Sequence, residues 1–312
     1  MQNRYVGDIG DYVKLALLRA LLPGRSLGVA WWLYPDGNHN SDGRHIGYLD
    51  QPLLWRSLDP PLFDHLKAIV ASGTRQVAAL EQEALLPGAR FFSEPIPNGG
   101  LRSLRREARV AWFERLQHAL QDCDLLLLDP DNGLETKNFD LGAPWAGKSV
   151  ALSELRSLRR PGRALIAYHH ETRRPGGHAA ELDHWGGRLR GADFSEVDAM
   201  RAGAYSPRAF FLLDANPELR DRASDLIKRG GKSLSWHPKL GLHSSDKELE
   251  AAVLPEEQSL DEATSTRQTS SLPAAAAVTH DVRDRGRFIQ AALRWYRKAA
   301  AFARRTPAAG ED

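Results

Sequence analysis

Four consecutive leucines at 125–128 run directly into Asp129-Pro130-Asp131-Asn132-Gly133-Leu134-Glu135. A strand covered on both faces is continuously apolar, whereas a half-solvated strand alternates. The leucine run therefore predicts a strand in the interior of a sheet, and Asp-Pro-Asp-Asn ends it. In an open α/β sheet the ligand crevice lies beyond the carboxyl ends of such strands. Asp129 and Asp131 thus fall where an α/β enzyme keeps its chemistry. A second polar cluster, Asn38-His39-Asn40-Ser41-Asp42-Gly43-Arg44-His45, follows another apolar run at 27–34. Either cluster can be read as a plain turn, because Asp, Asn, Pro and Gly dominate turns for backbone reasons. Two carboxylates and an amide directly after a buried strand exceed what a turn requires.

The same patterning extends along the chain. Residues 11–22 predict a helix stopped by Pro23-Gly24, with Asp11 as N-cap. Helices are expected over 61–71, 110–120 and 217–229, the first with Leu62, Phe63, Leu66, Ile69 and Val70 on one stripe. Strands are expected at 27–34, at 76–80 closed by Glu81, at 90–93, at 164–168 ending in His169-His170, at 209–213 and at 232–236. Strands alternating with helices of this length predict a doubly wound, mainly parallel Rossmann-like α/β sheet over residues 1–254. Residues 255–279 are rich in Glu, Ser, Thr, Ala and Pro, which suits a flexible linker. Residues 280–312 then read as a basic amphipathic helix and tail, with arginines surrounding Phe288, Ile289, Leu293 and Trp295. That helix either docks its apolar stripe on the domain or presents residues 280–305 to nucleic acid.

Charge and cysteine content narrow the class. Lys plus Arg number 42 and Asp plus Glu 40, too balanced for a protein that coats nucleic acid, though a local basic face is compatible. The lone Cys123 excludes intramolecular disulfides and cysteine-rich zinc sites. Met1-Gln2-Asn3-Arg4-Tyr5 lacks the apolar core of a signal peptide and no run reaches membrane-spanning length, so a cytoplasmic protein without membrane contact is expected. Oligomeric state is not encoded in any pattern found.

Three readings suit the polar clusters. Asp129, Asp131, Asn132 and Glu135 offer hard oxygen ligands or a general base. With His169 and His170, Asp129 and Asp131 would hold Mg²⁺ or Mn²⁺ in a metal-dependent phosphoester hydrolase or nuclease. The histidines 39, 45, 169 and 170 all follow strand ends, but adjacent strand residues face opposite ways, so His169 and His170 share a site only if the strand has ended. No pair has the helical His-Glu-x-x-His spacing of a zinc protease. His178 and His184 lie in a glycine-rich loop, Pro175-Gly176-Gly177-His178, that reads as a lid. Either Asp8 or Asp11 caps the helix and Lys14 is a solvated side chain, or the backbone amides at the helix start and Lys14 face an anionic group. The third possibility is a non-catalytic binding module on an enzyme fold.

Taken together, these segments resemble the bacterial 23S ribosomal RNA adenine-N6 methyltransferases with a Rossmann-like core. Gly7-Asp8-Ile9-Gly10-Asp11-Tyr12-Val13-Lys14 is similar to that family's opening Gly-Asn-x-x-Asp-x-x-Lys segment. Trp31-Trp32-Leu33-Tyr34-Pro35-Asp36 leading to Ser41-Asp42-Gly43-Arg44 is similar to its first strand and cofactor loop. Asp129-Pro130-Asp131-Asn132 stands in place of its Asp-Pro-Pro-Tyr loop, and Asn216-Pro217 follows a late strand as it does there. The likeness spans residues 3–240. The chain is also similar to a group of bacterial and phage proteins bearing Asn-Arg-Tyr and Asp-Pro-Asp-Asn-Gly signatures, a likeness that implies no chemistry. The methyltransferase resemblance implies an S-adenosylmethionine-dependent enzyme acting on nucleic acid or a nucleic-acid-associated substrate. Asp129, Asp131, Asn132 and His169 would organise the reacting group, and Gly10, Lys14, Asp36, Asp42, Gly43, Arg44 and Glu81 would line the cofactor crevice. Two departures stand out. The loop at 35–45 has only Gly37 and Gly43, and Asn132 replaces the aromatic whose stacking on a base is worth about 1–3 kcal/mol in single-strand binders.

Overall fold

A computed structural model describes residues 1–36, 43–172 and 174–242. The linker and basic helix expected over 255–312 lie outside the described residues, as does Asp42. The elements are β1 (Leu27–Ala30), β2 (Arg90–Phe92), β3 (Leu125–Leu128), β4 (Gly133–Leu134), β5 (Ser149–Val150), β6 (Ala164–His170), β7 (Val197–Ala202), β8 (Arg208–Leu213) and β9 (Leu234–His237). The helices are α1 (Ile9–Leu21), α2 (Pro52–Trp55), α3 (Pro60–Ala71), α4 (Arg102–Ala119), α5 (Leu152–Ser157), α6 (Gly177–Gly191) and α7 (Pro217–Gly230).

Seven strands form one sheet in the order β2-β1-β3-β6-β8-β7-β9, and β4 pairs with β5 in a separate two-stranded ladder. The strands β2, β1, β3 and β6 are mutually parallel, with Val29 beside Leu127 and Leu127 beside Ile166. The remaining pairings, β6 with β8, β8 with β7 and β7 with β9, are antiparallel. Two successive reversals return β7 to the direction of β6, so five of the seven strands share one direction. The sheet is mainly parallel, as expected, with its antiparallel pairings confined to one side. On that side, residues 203–207 join β7 to β8 as a short hairpin, which only antiparallel strands allow.

The leucine run explains why the sheet is covered on both faces. Leu125 and Leu127 pack into a core with α1, α3 and α7. Leu126 and Leu128 point the other way, into a core with Trp112, Phe113 and Leu116 of α4 and Leu182 and Leu189 of α6. The helix α1 is buried along almost its whole length, and Asp8 starts it by accepting hydrogen bonds from Gly10 N at 2.7 Å and Asp11 N at 3.1 Å. The N-cap is thus Asp8, not Asp11.

Other boundaries shift for physical reasons. The β1 ladder ends at Ala30, and Trp32 turns to a φ of 48°, so the strand expected to reach residue 34 stops early. The strand expected at 76–80 is a 3₁₀ turn at Val77–Leu80, its first amide bonded to Asn3 Oδ1 at 3.0 Å. The glycine-rich stretch expected to be a lid instead starts α6, whose Leu182, Trp185 and Leu189 are buried. Among the described residues, no helix is long and apolar enough to cross a membrane.

Candidate functional site

From β1 the chain moves to the sheet edge at β2, then returns to β3 on the opposite flank of β1. The ends of β1 and β3 therefore border a topological switch point, the place where α/β sheets leave a crevice. A pocket of about 170 Å³ lies there. Its walls come from the N-terminus of α1 (Asp8, Gly10, Asp11, Lys14), the loop after β3 (Asp129 to Asn132), the end of β6 (Tyr168, His170) and the start of β8 (Ser206, Arg208), with Met1, Tyr5, Gly43 and His45 at its edges.

At its base Lys14 Nζ lies 2.8 Å from Asp11 Oδ1 and 2.7 Å from Asp129 Oδ2. All three side chains are almost wholly buried. Asp11 also accepts from Gly7 N at 3.1 Å. Burial by itself pulls the Lys14 pKa down, but the two carboxylates outweigh it and hold the ammonium above the ordinary lysine value. Burial raises both carboxyls, Asp11 and Asp129, despite the lysine. A cation shared between two carboxylates is the expected arrangement, since an unpaired buried charge is costly.

Asp131 sits beside this triad, 2.8 Å from the Met1 amino group and 3.9 Å from Lys148 Nζ, and also accepts from Gln2 Nε2. The same amino group donates to the carbonyls of Trp32 and Asp129, each at 3.0 Å. Residues at the start of the chain thus bridge the ends of β1 and β3. Asn132 is exposed, and its backbone fixes the loop: its amide donates to Lys148 O at 2.8 Å and its carbonyl accepts from His170 N at 3.4 Å. Gly133 follows with a φ of 96°, and a Cβ there would lie 2.5 Å from His169 Cα. This accounts for glycine after Asp-Pro-Asp-Asn: no side chain fits between the loop and β6.

The opposite wall carries the cation Arg208, whose Nη1 is 4.0 Å from Asp8 Oδ1. Gly10 leaves room for it, since a Cβ at Gly10 would fall 1.7 Å from Arg208 Nη1. Tyr168 Oη and His170 Nδ1 are 3.3 Å apart, and burial pushes the Tyr168 phenol well above its usual value.

Asp129, Asp131, Asn132, Gly10, Lys14, Gly43 and His170 meet at this pocket. Other expected residues do not. His169 is buried on the opposite face, its Nδ1 accepting from Leu134 N at 3.3 Å and its Nε2 facing Glu181 Oε1 at 3.1 Å. That assigns the Nε2–H tautomer and leaves no nitrogen for a substrate. β6 continues through His170, so the two histidines alternate. Burial would raise Glu181, yet hydrogen bonds from His169 and from the Thr172 amide and hydroxyl pull it down to about 2. Glu81 accepts from Trp31 Nε1 at 2.9 Å and from Ser93 Oγ. Asp36 accepts from Asn3 Nδ2 at 3.2 Å, Arg44 is exposed outside the lining, and Glu135 is held by Arg188 at 2.6 Å.

Arg208, Ser206 and Tyr168 line the pocket without having been singled out from the sequence, and Tyr5 lines it as the last residue of the Asn-Arg-Tyr signature. Of the first three, only Tyr168, directly before His169-His170, carried a positional signal. Among the described residues no three His, Cys, Asp or Glu side chains are grouped to hold a metal ion. Comparison with protein-family models, with curated proteins and with solved structures finds no match to this chain.

Proposed function

We propose that this chain is an S-adenosylmethionine-dependent methyltransferase-like enzyme on a doubly wound Rossmann-like core, acting on an amino group of nucleic acid or of a nucleic-acid-associated substrate. One observation carries the reading: the loop Asp129 to Asn132 brings two carboxylates to the β1/β3 switch point, inside a pocket where Asp8, Asp11, Asp129 and Asp131 face Lys14, Arg208 and the Met1 amino group. Carboxylates accept hydrogen bonds and do not donate them. Such a pocket offers several acceptor oxygens to an amino group. The donor set therefore supports methyl transfer to an amine better than phosphoester hydrolysis. A divalent ion at Asp129 would also have to displace Lys14, 2.7 Å away.

S-adenosylmethionine fits this chemistry, since it supplies a methyl group on a sulfonium cation. The cavity of about 170 Å³ is smaller than the roughly 300–1,000 Å³ of typical ligand pockets, so it matches the reacting centre and not a whole nucleoside. Asp8, Gly10 and Gly43 would border the cofactor, the two glycines making room for Arg208 and for the Arg4 carbonyl that pack beside them. Asp131 and Asn132 would hold and orient the acceptor amine. Asp129, kept in place by Lys14, would take up hydrogen bonds from that amine as its charge develops.

Calorimetry of the full chain with S-adenosylmethionine tests the reading. Binding in the micromolar range is expected, together with methyl transfer to nucleic acid that Asp129→Asn abolishes while circular dichroism stays native. No heat at high micromolar cofactor from a folded protein would overturn it.

A further inference from the structure

Beside the pocket, the first turns of α4 and the segment 135–148 carry a cluster that fold stability does not require. Trp145 is 48% exposed, and Leu101 and Leu104 are 72% and 55% exposed. Trp145 packs edge-on against Phe139 with ring centroids 6.1 Å apart. Arg102 and Arg106 reach the same segment at Asp140, next to Phe139, with side chains 72% and 57% exposed. Each uses one N–H on Asp140, at 2.6 and 2.5 Å, and turns the rest of its guanidinium to solvent. The two parts form one surface, because Arg105 Nε donates to Gly142 O at 2.9 Å. It is also continuous with the site: Lys148 N donates to Trp145 O at 3.1 Å, and Lys148 O accepts from Asn132 N at 2.8 Å.

Half-exposed aromatics framed by arginines are the pattern by which proteins hold single strands. Bases stack on the rings and the cations neutralise the backbone. Double-stranded nucleic acid offers no free base faces to Trp145. A second protein chain would be poorly matched by a patch whose cations outnumber its one central carboxylate. We infer that this surface docks a single-stranded nucleic acid, with bases stacked on Trp145 and phosphates on Arg102 and Arg106, and leads the strand to the pocket. The inference rests on the nucleic-acid part of the function proposed above, and extends it by placing the strand on α4 and 135–148. This surface would supply, from outside the loop after β3, aromatic stacking that Asn132 does not provide.

The test is fluorescence anisotropy of a labelled single-stranded 12-mer titrated with the full chain at several salt concentrations. Trp145→Ala should weaken binding roughly 5- to 150-fold, the span of one lost base stack, and Trp145→Phe should restore most of it. Arg102→Ala with Arg106→Ala should lower the slope of log affinity against log salt by about 1.4, at about 0.7 per single-strand phosphate contact. Arg56→Ala, an exposed arginine paired with Asp64 beside α3, whose apolar face packs in the other core, should change neither. Unaltered affinity and slope in the Trp145 and arginine variants would overturn the inference. So would light scattering showing a dimer that Trp145→Ala dissociates, because a second copy would then own the surface. Oligonucleotide binding needs no cofactor, so a negative result with S-adenosylmethionine would refute the methyltransferase reading and leave this inference standing.

Discussion

Lys14 is the position where a single change should reveal how the pocket is held together. Its ammonium touches Asp11 and Asp129 at 2.8 and 2.7 Å, with all three side chains at most 6% exposed. Lys14→Met keeps the stem length and removes the charge, leaving two buried carboxylates without their shared cation. Breaking a buried ion pair from one side costs about 3–5 kcal/mol, a large share of the roughly 5–15 kcal/mol that stabilises a domain. At roughly 2–4 °C per kcal/mol for a chain of this size, the melting temperature should fall by roughly 6–20 °C at pH 7–8. The pH dependence gives a sharper check. Burial already raises the Asp11 and Asp129 pKa above 3.8, so the native state retains protons that the unfolded chain releases above that value. Stability from these groups therefore falls as pH rises through the window. Removing Lys14 lets both carboxyls rise further, and the variant's deficit should be largest near pH 8 and smallest near pH 4. In the wild type the raised Lys14 pKa acts in the same direction but in a higher window: its contribution is complete below 10.5 and fades only above it. Thermal melts across pH 4–8 read the size of the variant's deficit and its pH dependence. A melting temperature within a degree or two of wild type at pH 8, or a deficit independent of pH, would refute the coupled triad.

Two further outcomes follow from the site. Glu181, held at about 2 against an ordinary 4.5, contributes about 3 kcal/mol at neutral pH, and because its pKa is depressed this is lost as pH falls from 4.5 toward 2. Glu181→Gln should accordingly lower stability in urea denaturation at pH 7 and by much less at pH 3; equal deficits at the two values would reject the hydrogen-bonded carboxylate. Gly10→Ala places a Cβ 1.7 Å from Arg208 Nη1, the mobile tip of a side chain and not backbone, so it should shift the melting temperature little while weakening S-adenosylmethionine binding in calorimetry. Retained affinity would show that Arg208 moves aside without consequence.

The parts of the fold that could be read from sequence are those where packing dominates. Leu125–Leu128 and Ala164–His170 are strands covered on both faces, and their apolar runs say so. β7 was missed because Val197-Asp198-Ala199-Met200-Arg201-Ala202 carries two charged residues. Tertiary partners compensate one of them: Asp198, fully buried, accepts from Lys239 N at 2.8 Å and pairs with Arg220 at 2.8 Å. α6 was missed because its glycines, Gly177, Gly186, Gly187 and Gly191, lower helix propensity. Burial of Leu182, Trp185 and Leu189 offsets that cost. In both cases what these residues pack or pair against is distant in sequence, where local pattern carries no information.

The site divides along the same line. Asp129, Asp131 and Asn132 could be located because a buried strand announces where its loop emerges. Their partners could not, since Lys14 reaches Asp129 across 115 positions and Arg208 approaches Asp8 from a hairpin the alternation pattern did not reveal. This matters for chemistry as well as for position. Taken alone, Asp-Pro-Asp-Asn offers hard oxygen ligands to a metal as readily as acceptors to an amine. Lys14 between Asp11 and Asp129, and Arg208 facing Asp8, already supply the cations these carboxylates need, so little negative charge is left to draw a divalent ion from water. Asp131 is likewise paired with the Met1 amino group at 2.8 Å, whereas the exposed Asn132 keeps an amide oxygen able to accept a hydrogen bond from an amino group. The balance of charge set by α1 and β8, more than the Asp-Pro-Asp-Asn loop itself, is what separates the amine-directed reading from the metal-directed one.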